Sequence, residues 1–430
     1  MMRILSSNLK NNIGESVLVK GWVHRIRILK SVTFIILRDR SGCVQCVFEG
    51  KPEWTKGLKI ETVVAIEGLV CTSNNQYQSV EIQGKTLEIQ NEVAEDLPIQ
   101  INGDHLEVNL ETILNNRVLA LRHFQNQAIF KLQALIVAAF RQFLEANDFL
   151  EMFTPKIVKE GAEGGAEIFK LNYFGETAYL AQSPQFYKQM MVIAGFERVF
   201  EVGSVYRAEQ HSTNRHLNEY VSMDFEMGFI EDEYEVMAME EKLLKFMFQT
   251  LAEKGKTQFE ALGIQCPVVP DIIPKLKMKE AIEILKTHYQ RHELDGDLDP
   301  QGEREISAYV KTKYGSEFVF ITHYPKQKRP MYTKCYDESD ETHSFDLLFR
   351  GLEITTGGQR INEKDILIER MVAKGLDPTL YSSYLEAFKY GAPAHGGLAI
   401  GLERLTAQIM DLSNVRLASL FPRDQQRLLP

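Results

Sequence analysis

Residues Phe200 to Met227, FEVGSVYRAEQHSTNRHLNEYVSMDFEM, constrain this chain more than any other stretch. They read as two β-strands joined by a polar loop. The first strand ends in Arg207, the loop carries Arg215 and His216, and the second strand carries Tyr220, Asp224 and Glu226. Side chains two apart on a strand share a face. A hairpin of this kind can set a cation on a phosphate, an aromatic on a base, and carboxylates on an amine or a metal.

The rest of the chain gives that hairpin a setting. With 430 residues there is room for two or three domains. Residues 1–95 read as five short strands. Val17, Val19 and Val23 alternate around Gly21; Val32, Phe34 and Ile36 form a second set and Val44, Cys46 and Phe48 a third; Thr62–Gly68 and Ser79–Ile89 follow. Five strands punctuated by Gly and Asn favour a small barrel, with the five-stranded OB-fold leading. Residues 96–124 read as a linker. A long helix is expected next, because Ile129, Leu132, Leu135, Ile136, Ala139, Phe140 and Phe143 recur at three- and four-residue steps. Phe149–Val158 reads as one strand containing Pro155, and Glu235–Lys254 as a second helix. The remainder alternates strands and helices without a βαβ repeat. The fold class expected is α+β, an antiparallel sheet flanked by helices.

Charge and cysteine usage set limits. The net charge of −10 argues mildly against nucleic acid, but the first hundred residues are nearly balanced. There Arg25, Arg27, Lys30, Arg38 and Arg40 face only Asp39. This strip is either a solvated strand face or a phosphate track. The longest apolar run, Ala134–Phe140, is too short to span a membrane, and MMRILSSNLK lacks a signal-peptide core, so a cytoplasmic protein is expected. Cys43 and Cys46 make one C-x-x-C on a strand, where residues three apart face opposite sides. Ordinary reduced thiols fit better than zinc.

Four further segments fit the hairpin. GAPAHGGLAIGLERLTAQIMDL (Gly391–Leu412) is a glycine-rich strand running into a helix whose first turn, Glu403-Arg404, favours anions. SFDLLFRGLEITTGGQRI spans Ser344–Ile361, YLAQSPQFYKQ spans Tyr179–Gln189 and EGGAEIF spans Glu163–Phe169. Together the five segments resemble the class II aminoacyl-tRNA synthetases along essentially the whole chain, and most closely their aspartyl branch in its archaeal and eukaryotic form. The hairpin is similar to motif 2, Gly391–Leu412 to motif 3, and Phe149–Val158 to motif 1, which makes the dimer interface in that family.

The resemblance implies activation of L-aspartate with ATP, then transfer to tRNA(Asp), with relaxed relatives also serving tRNA(Asn). It implies an anticodon-binding barrel at 1–95, a hinge at 96–124 and a catalytic domain at 125–430, with 255–330 as an insertion between motifs 2 and 3. Charge accumulates on phosphate oxygens during activation, so cations should dominate the site. By resemblance Arg207 takes the α-phosphate and the reacting carboxylate, and with Arg404 forms the catalytic pair. Glu209, Arg215, His216, Tyr220, Glu353 and Arg404 complete the ATP site. Asp346, Glu353 and Thr356, where relatives usually have Ser, would hold Mg²⁺ through hard oxygens. Arg360 and Lys188 would face the aspartate side chain; Glu167, Gln185, Asp224 and Thr356 would complete that pocket. Asparagine would leave those cations unpaired. Taken alone, Lys188 is equally a surface lysine on an amphipathic helix, and Asp346 a cap or turn residue.

In the barrel the resemblance assigns Phe34 to base stacking, Gln45 and Glu81 to base edges, and Arg25 and Arg27 to phosphates or a base. Phe34 also belongs to an apolar period-2 set and could be core. After Gly21-Trp22-Val23, strict relatives often have Trp, whereas this chain has His24, common in relaxed ones. A Lys that helps strict relatives is replaced by Thr86, with Lys85 before it. The expectation is a homodimer with relaxed tRNA choice. Rivals are a strict aspartyl enzyme, an asparaginyl enzyme, a non-catalytic nucleic-acid-binding paralogue and an amidating paralogue. The last typically lacks the barrel.

Overall fold

The computed structural model describes residues 2–161, 167–210 and 213–429. The chain divides into two compact units, Met1–Thr112 and Ile113–Pro430.

In the first unit, strands β1 (Ser16–Ile28), β2 (Val32–Asp39), β3 (Gly42–Glu49), β4 (Val63–Thr72) and β5 (Val80–Asn91) close into a barrel in the order β1-β2-β3-β5-β4. Closure removes the free edges that a small sheet would expose. Val17, Val19, Val23, Ile35, Leu37, Val44, Cys46, Ile66 and Ile82 fill its interior. The register of β1 against β2 jumps between Val23 and Arg25, so His24 is a bulge residue that falls outside the paired register. The jump reverses the parity of the strand. Val23 points inward before it, whereas Ile26 packs on the core after it.

The second unit is built on an eight-stranded sheet. Its strands are β6 (Leu150–Glu151), β10 (Arg198–Tyr206), β11 (Glu219–Gly228), β12 (Lys275–Lys277), β13 (Phe318–Thr322), β14 (Ser344–Phe349), β15 (Leu352–Gln359) and β16 (His395–Gly401). They run in the order β12-β13-β14-β15-β16-β11-β10-β6, parallel at the two ends and antiparallel between. The sheet is therefore mixed rather than wholly antiparallel. A small sheet of β7 (Ile157–Val158), β8 (Lys170–Tyr173) and β9 (Glu176–Leu180) lies beside it. Helices Phe124–Glu145 and Glu233–Lys254 bury Leu132, Ile136, Phe140, Leu244 and Phe248 in one core with Met223, Phe225 and Met227 of β11. The even-numbered residues of β11 point the other way.

Two expected elements differ. Phe149–Val158 is not one strand; it splits into β6 and β7, which join different sheets, with Pro155 in the gap where a missing N–H ends the ladder. Residues 96–124 contain two short helices, and buried Arg117 donates from Nε to the carbonyl of Leu420 at 2.8 Å. Segment 255–330 adds β12 and β13 to the sheet edge and packs Leu285, Ile306 and Val310 against Val319 and Ile321.

Candidate active site and anticodon-type face

Two cavities adjoin on the polar face of β11, β15 and β16. The first, about 100 Å³, is lined by Arg207, Glu209, Arg215, His216, Tyr220, Glu353, Thr356, Gly401 and Arg404. The second, about 200 Å³, is lined by Gln185, Lys188, Arg207, Tyr220, Asp224, Arg329, Thr356 and Arg360. Arg207, Tyr220 and Thr356 belong to both walls. The guanidinium of Arg207 lies 5.8 Å from the Tyr220 ring centroid, a cation–π contact.

Local structure explains how these side chains meet. The strict alternation of β11 aims Tyr220, Asp224 and Glu226 to one face. On β15, a bulge beside Thr355 reverses parity, so Glu353 shares a cavity wall with Thr356. Asp346 of β14 is the cross-strand partner of Thr356. Gly397 of β16 lies opposite Glu226; a Cβ there would come within 2.1 Å of the Phe225 carbonyl and 2.2 Å of Glu226 Oε2. Only glycine lets these strands close over the carboxylate.

The second cavity is cationic, but its cations have resident partners. Lys188, expected at the aspartate side chain with a helix surface as the alternative, is buried and donates to Asp224 Oδ1 at 3.1 Å and to the Leu398 carbonyl at 3.1 Å. Glu226 Oε2 lies 3.4 Å from the same ammonium. Arg360 donates through Nε to Glu226 Oε1 at 2.9 Å and through Nη2 to Oε2 at 3.3 Å. Burial opposes ionisation of Glu226, yet Arg360 and Lys188 hold its carboxyl below the usual range. Glu226, read from the hairpin as a carboxylate for an amine or a metal, is thus the shared counterion of Arg360 and Lys188. The argument that an amide would leave Lys188 and Arg360 wholly unpaired does not hold. The balance that remains is still positive: Lys188, Arg207, Arg329 and Arg360 line the wall, against Asp224 there and Glu226 and Asp346 beside it.

Behind Lys188, Gln189 donates to Nε2 of His395 at 2.9 Å and accepts from Gln185 and Tyr384. His395 Nδ1 faces the Pro393 carbonyl at 2.8 Å, which fixes the proton on Nδ1. Burial pushes the His395 pKa down, in keeping with a neutral ring.

Asp346, Glu353 and Thr356 do lie together, and their oxygens are of the type magnesium takes. Burial, with the nearby Asp346, pushes the Glu353 carboxyl up, as expected of two carboxylates that would share a cation. Arg329, absent from the sequence reading, is already among them. It lies 2.8 Å from Asp346 Oδ1, donates to Thr356 Oγ1 at 3.1 Å and stacks 3.6 Å from the centroid of the Tyr324 ring. Among the described residues no three His, Cys, Asp or Glu side chains form a metal cluster. Glu167 is exposed at the edge of the site, its carbonyl bound to Gln182 Nε2 at 3.1 Å; residues 163–166 of EGGAEIF lie outside the described residues.

In the first unit, Phe34, Gln45 and Glu81 face outward from β2, β3 and β5. Phe34 is half-buried and stays out of the barrel core, which takes its neighbours Thr33 and Ile35. Gln45 Nε2 donates to Glu81 Oε2 at 2.8 Å across paired strands. The bulge turns Arg25 and Arg27 away from the core, and Arg25 is tied to the Asn102 carbonyl at 2.6 Å. His24 Nδ1 lies 3.3 Å from Arg38, whose guanidinium forms a bidentate pair with Glu61 at 2.9 and 2.7 Å. The five cysteines are free thiols, with Cys46 inside the barrel and Cys43 half-buried.

The family model "tRNA synthetases class II (D, K and N)" matches residues 109–425, and "OB-fold nucleic acid binding domain" matches 17–96. The chain belongs to the class II aminoacyl-tRNA synthetases. Among relatives of this synthetase, the aspartate–tRNA(Asp/Asn) ligase of Thermus thermophilus is 46% identical over 100% of both chains. The aspartate–tRNA(Asp) ligase of Pyrococcus horikoshii is 38% identical over 97% of each. The asparaginyl-tRNA synthetase of Pyrococcus horikoshii, solved with asparaginyl-adenylate, superposes with a TM-score of 0.90 at 30% identity, covering 100% of both chains. The fold is therefore shared with enzymes for either amino acid. No helix among the described residues is long and apolar enough to cross a membrane.

Proposed function

We propose that this synthetase activates L-aspartate with ATP and transfers it to the 3′ end of tRNA(Asp) and tRNA(Asn). The observation that carries the reading is the place of Arg207, in the wall common to both cavities. ATP occupies the first cavity and aspartate the second, so Arg207 bridges the α-phosphate and the attacking carboxylate. Its planar fork serves two anions at once. Arg215, His216 and Arg404 hold the outer phosphates, Tyr220 stacks on the adenine, and Glu209 lines its rim. The residual positive charge of the second cavity favours an acidic side chain over its amide. Lys188, Arg360 and Thr356 face that side chain, and Asp224, Gln185 and Glu167 take the ammonium. Mg²⁺, held by Asp346, Glu353 and Thr356 together with the phosphates, would offset charge on the leaving pyrophosphate.

The barrel reads the anticodon. Phe34 stacks on a base, Gln45 and Glu81 bond base edges, and Arg25 and Arg27 take phosphates. His24, released from the strand ladder by its bulge, faces the one base that separates the two anticodons. Phe153, 83% exposed beside half-exposed Leu150 and Ile157, supports a homodimer joined through this segment. The setting is the cytoplasm, where ATP and tRNA are found and free thiols persist.

The test is aminoacylation with labelled aspartate on tRNA(Asp) and tRNA(Asn) transcripts in parallel, with asparagine as a second amino acid. Comparable charging of both tRNAs with aspartate is expected. A hundredfold preference for tRNA(Asp) would overturn the relaxed choice alone. Transfer of asparagine only would overturn the amino-acid assignment.

A further inference from the structure

Helix Pro300–Tyr314 lies in the segment between the two motifs, where the sequence offers no chemistry. It nevertheless sends one carboxylate to the back of the ATP cavity. Glu303, 8% exposed, contacts the Arg215 guanidinium through Oε2, and the same oxygen accepts the backbone N–H of Glu353 at 3.4 Å. The Glu353 carbonyl accepts from Arg404 Nη1 at 3.2 Å, and Arg404 Nε donates to the Arg215 carbonyl at 3.3 Å. These contacts close a ring of four residues from four separate segments.

We propose that Glu303 is a positioning residue of the ATP site, closing this ring so that Arg215 and Arg404 stand ready for the outer phosphates before ATP arrives. The inference rests on the proposed function and deepens it. Arg215, Glu353 and Arg404 line the first cavity, whereas Glu303 does not, so it acts through Arg215 rather than on ATP. A long guanidinium side chain loses much rotamer freedom when it docks on a ligand. Holding one limb of the fork on a buried carboxylate removes that cost in advance and leaves the other limb for a phosphate. The helix does not need Glu303 to stay in place, because Ile306 and Val310 anchor it in the core.

The test is aspartate-dependent ATP–pyrophosphate exchange by the full chain, comparing wild type with E303Q and E303D. Both variants should raise the KM for ATP about five- to tenfold, as expected for loss of a charge-assisted contact. Both kcat and the KM for aspartate should stay within about twofold, and calorimetric ATP binding should weaken by the same factor. An unchanged KM for ATP would overturn the proposal, as would a parallel loss in all three parameters, which marks a general structural defect. If E303Q does not fold, E303D carries the comparison, since its shorter carboxylate falls short of Arg215. Exchange by the wild type with asparagine instead of aspartate would overturn the proposed amino acid, and the ring would still be judged on its KM for ATP.

Discussion

Two side chains concentrate the proposed chemistry. Arg207 is asked to stabilise charge that grows on the α-phosphate. R207A should therefore lower kcat for aspartate-dependent exchange by about 10²–10³-fold, measured as labelled pyrophosphate entering ATP. His24 is asked only to choose. H24W should leave exchange unchanged while cutting aspartylation of tRNA(Asn) more than that of tRNA(Asp), measured with both transcripts. Both residues were legible in the sequence through the motifs they follow, although Arg207 stands just past the end of β10 and His24 at the bulge of β1. Glu303 and Arg329 were not. Arg215 and Glu303 are 88 residues apart, and no periodic pattern marks either partner. Glu226 was half legible: its parity put it beside Asp224, but only the packed sheet shows it between Arg360 and Lys188.

The elements carry their own tests. The glycine-rich strand of Gly391–Leu412 needs one of its glycines for a close approach between strands, at Gly397. G397A would push a methyl onto the Phe225 carbonyl and the Glu226 carboxylate. It should lower the melting temperature by several degrees and abolish aspartate-dependent exchange, as read by calorimetry and by labelled pyrophosphate entering ATP. At the head of helix Leu402–Ile409, burial pushes the Glu403 carboxyl up to about 7, although the N–H of Val221 hydrogen-bonds it. A carboxyl raised on folding contributes stability that is full below its unfolded value, about 4.3, and lost as pH rises through about 7. The melting temperature of wild type should thus fall between pH 5 and pH 8, and E403Q should show a smaller fall. Helices such as Phe124–Glu145 were readable from periodicity alone. The split of Phe149–Val158 was not, since the choice of sheet for β6 and β7 depends on partners remote in the chain.

At the scale of the molecule, each unit has its own apolar interior. Residues 113–430 alone should keep aspartate-dependent exchange and lose most tRNA charging, a separation that exchange and aminoacylation assays on one preparation would reveal. F153D should shift the full chain toward monomer in sedimentation without unfolding it. The two-unit plan was visible in the change from period-2 runs to helical spacing near residue 124, whereas the mixed sheet depended on β12 and β13, strands of three and five residues in a segment the sequence marks only as an insertion. The bulge in β1 has a consequence for how such a molecule can change over time. Position 24 falls outside the paired register of β1 and β2 and its side chain meets Arg38 rather than the barrel core, so a replacement there leaves the ladder and the apolar interior in place. Substrate range can then drift at this one residue while the barrel's thermodynamic fitness stays nearly constant, which makes the boundary between one tRNA and two an easy one to cross in either direction.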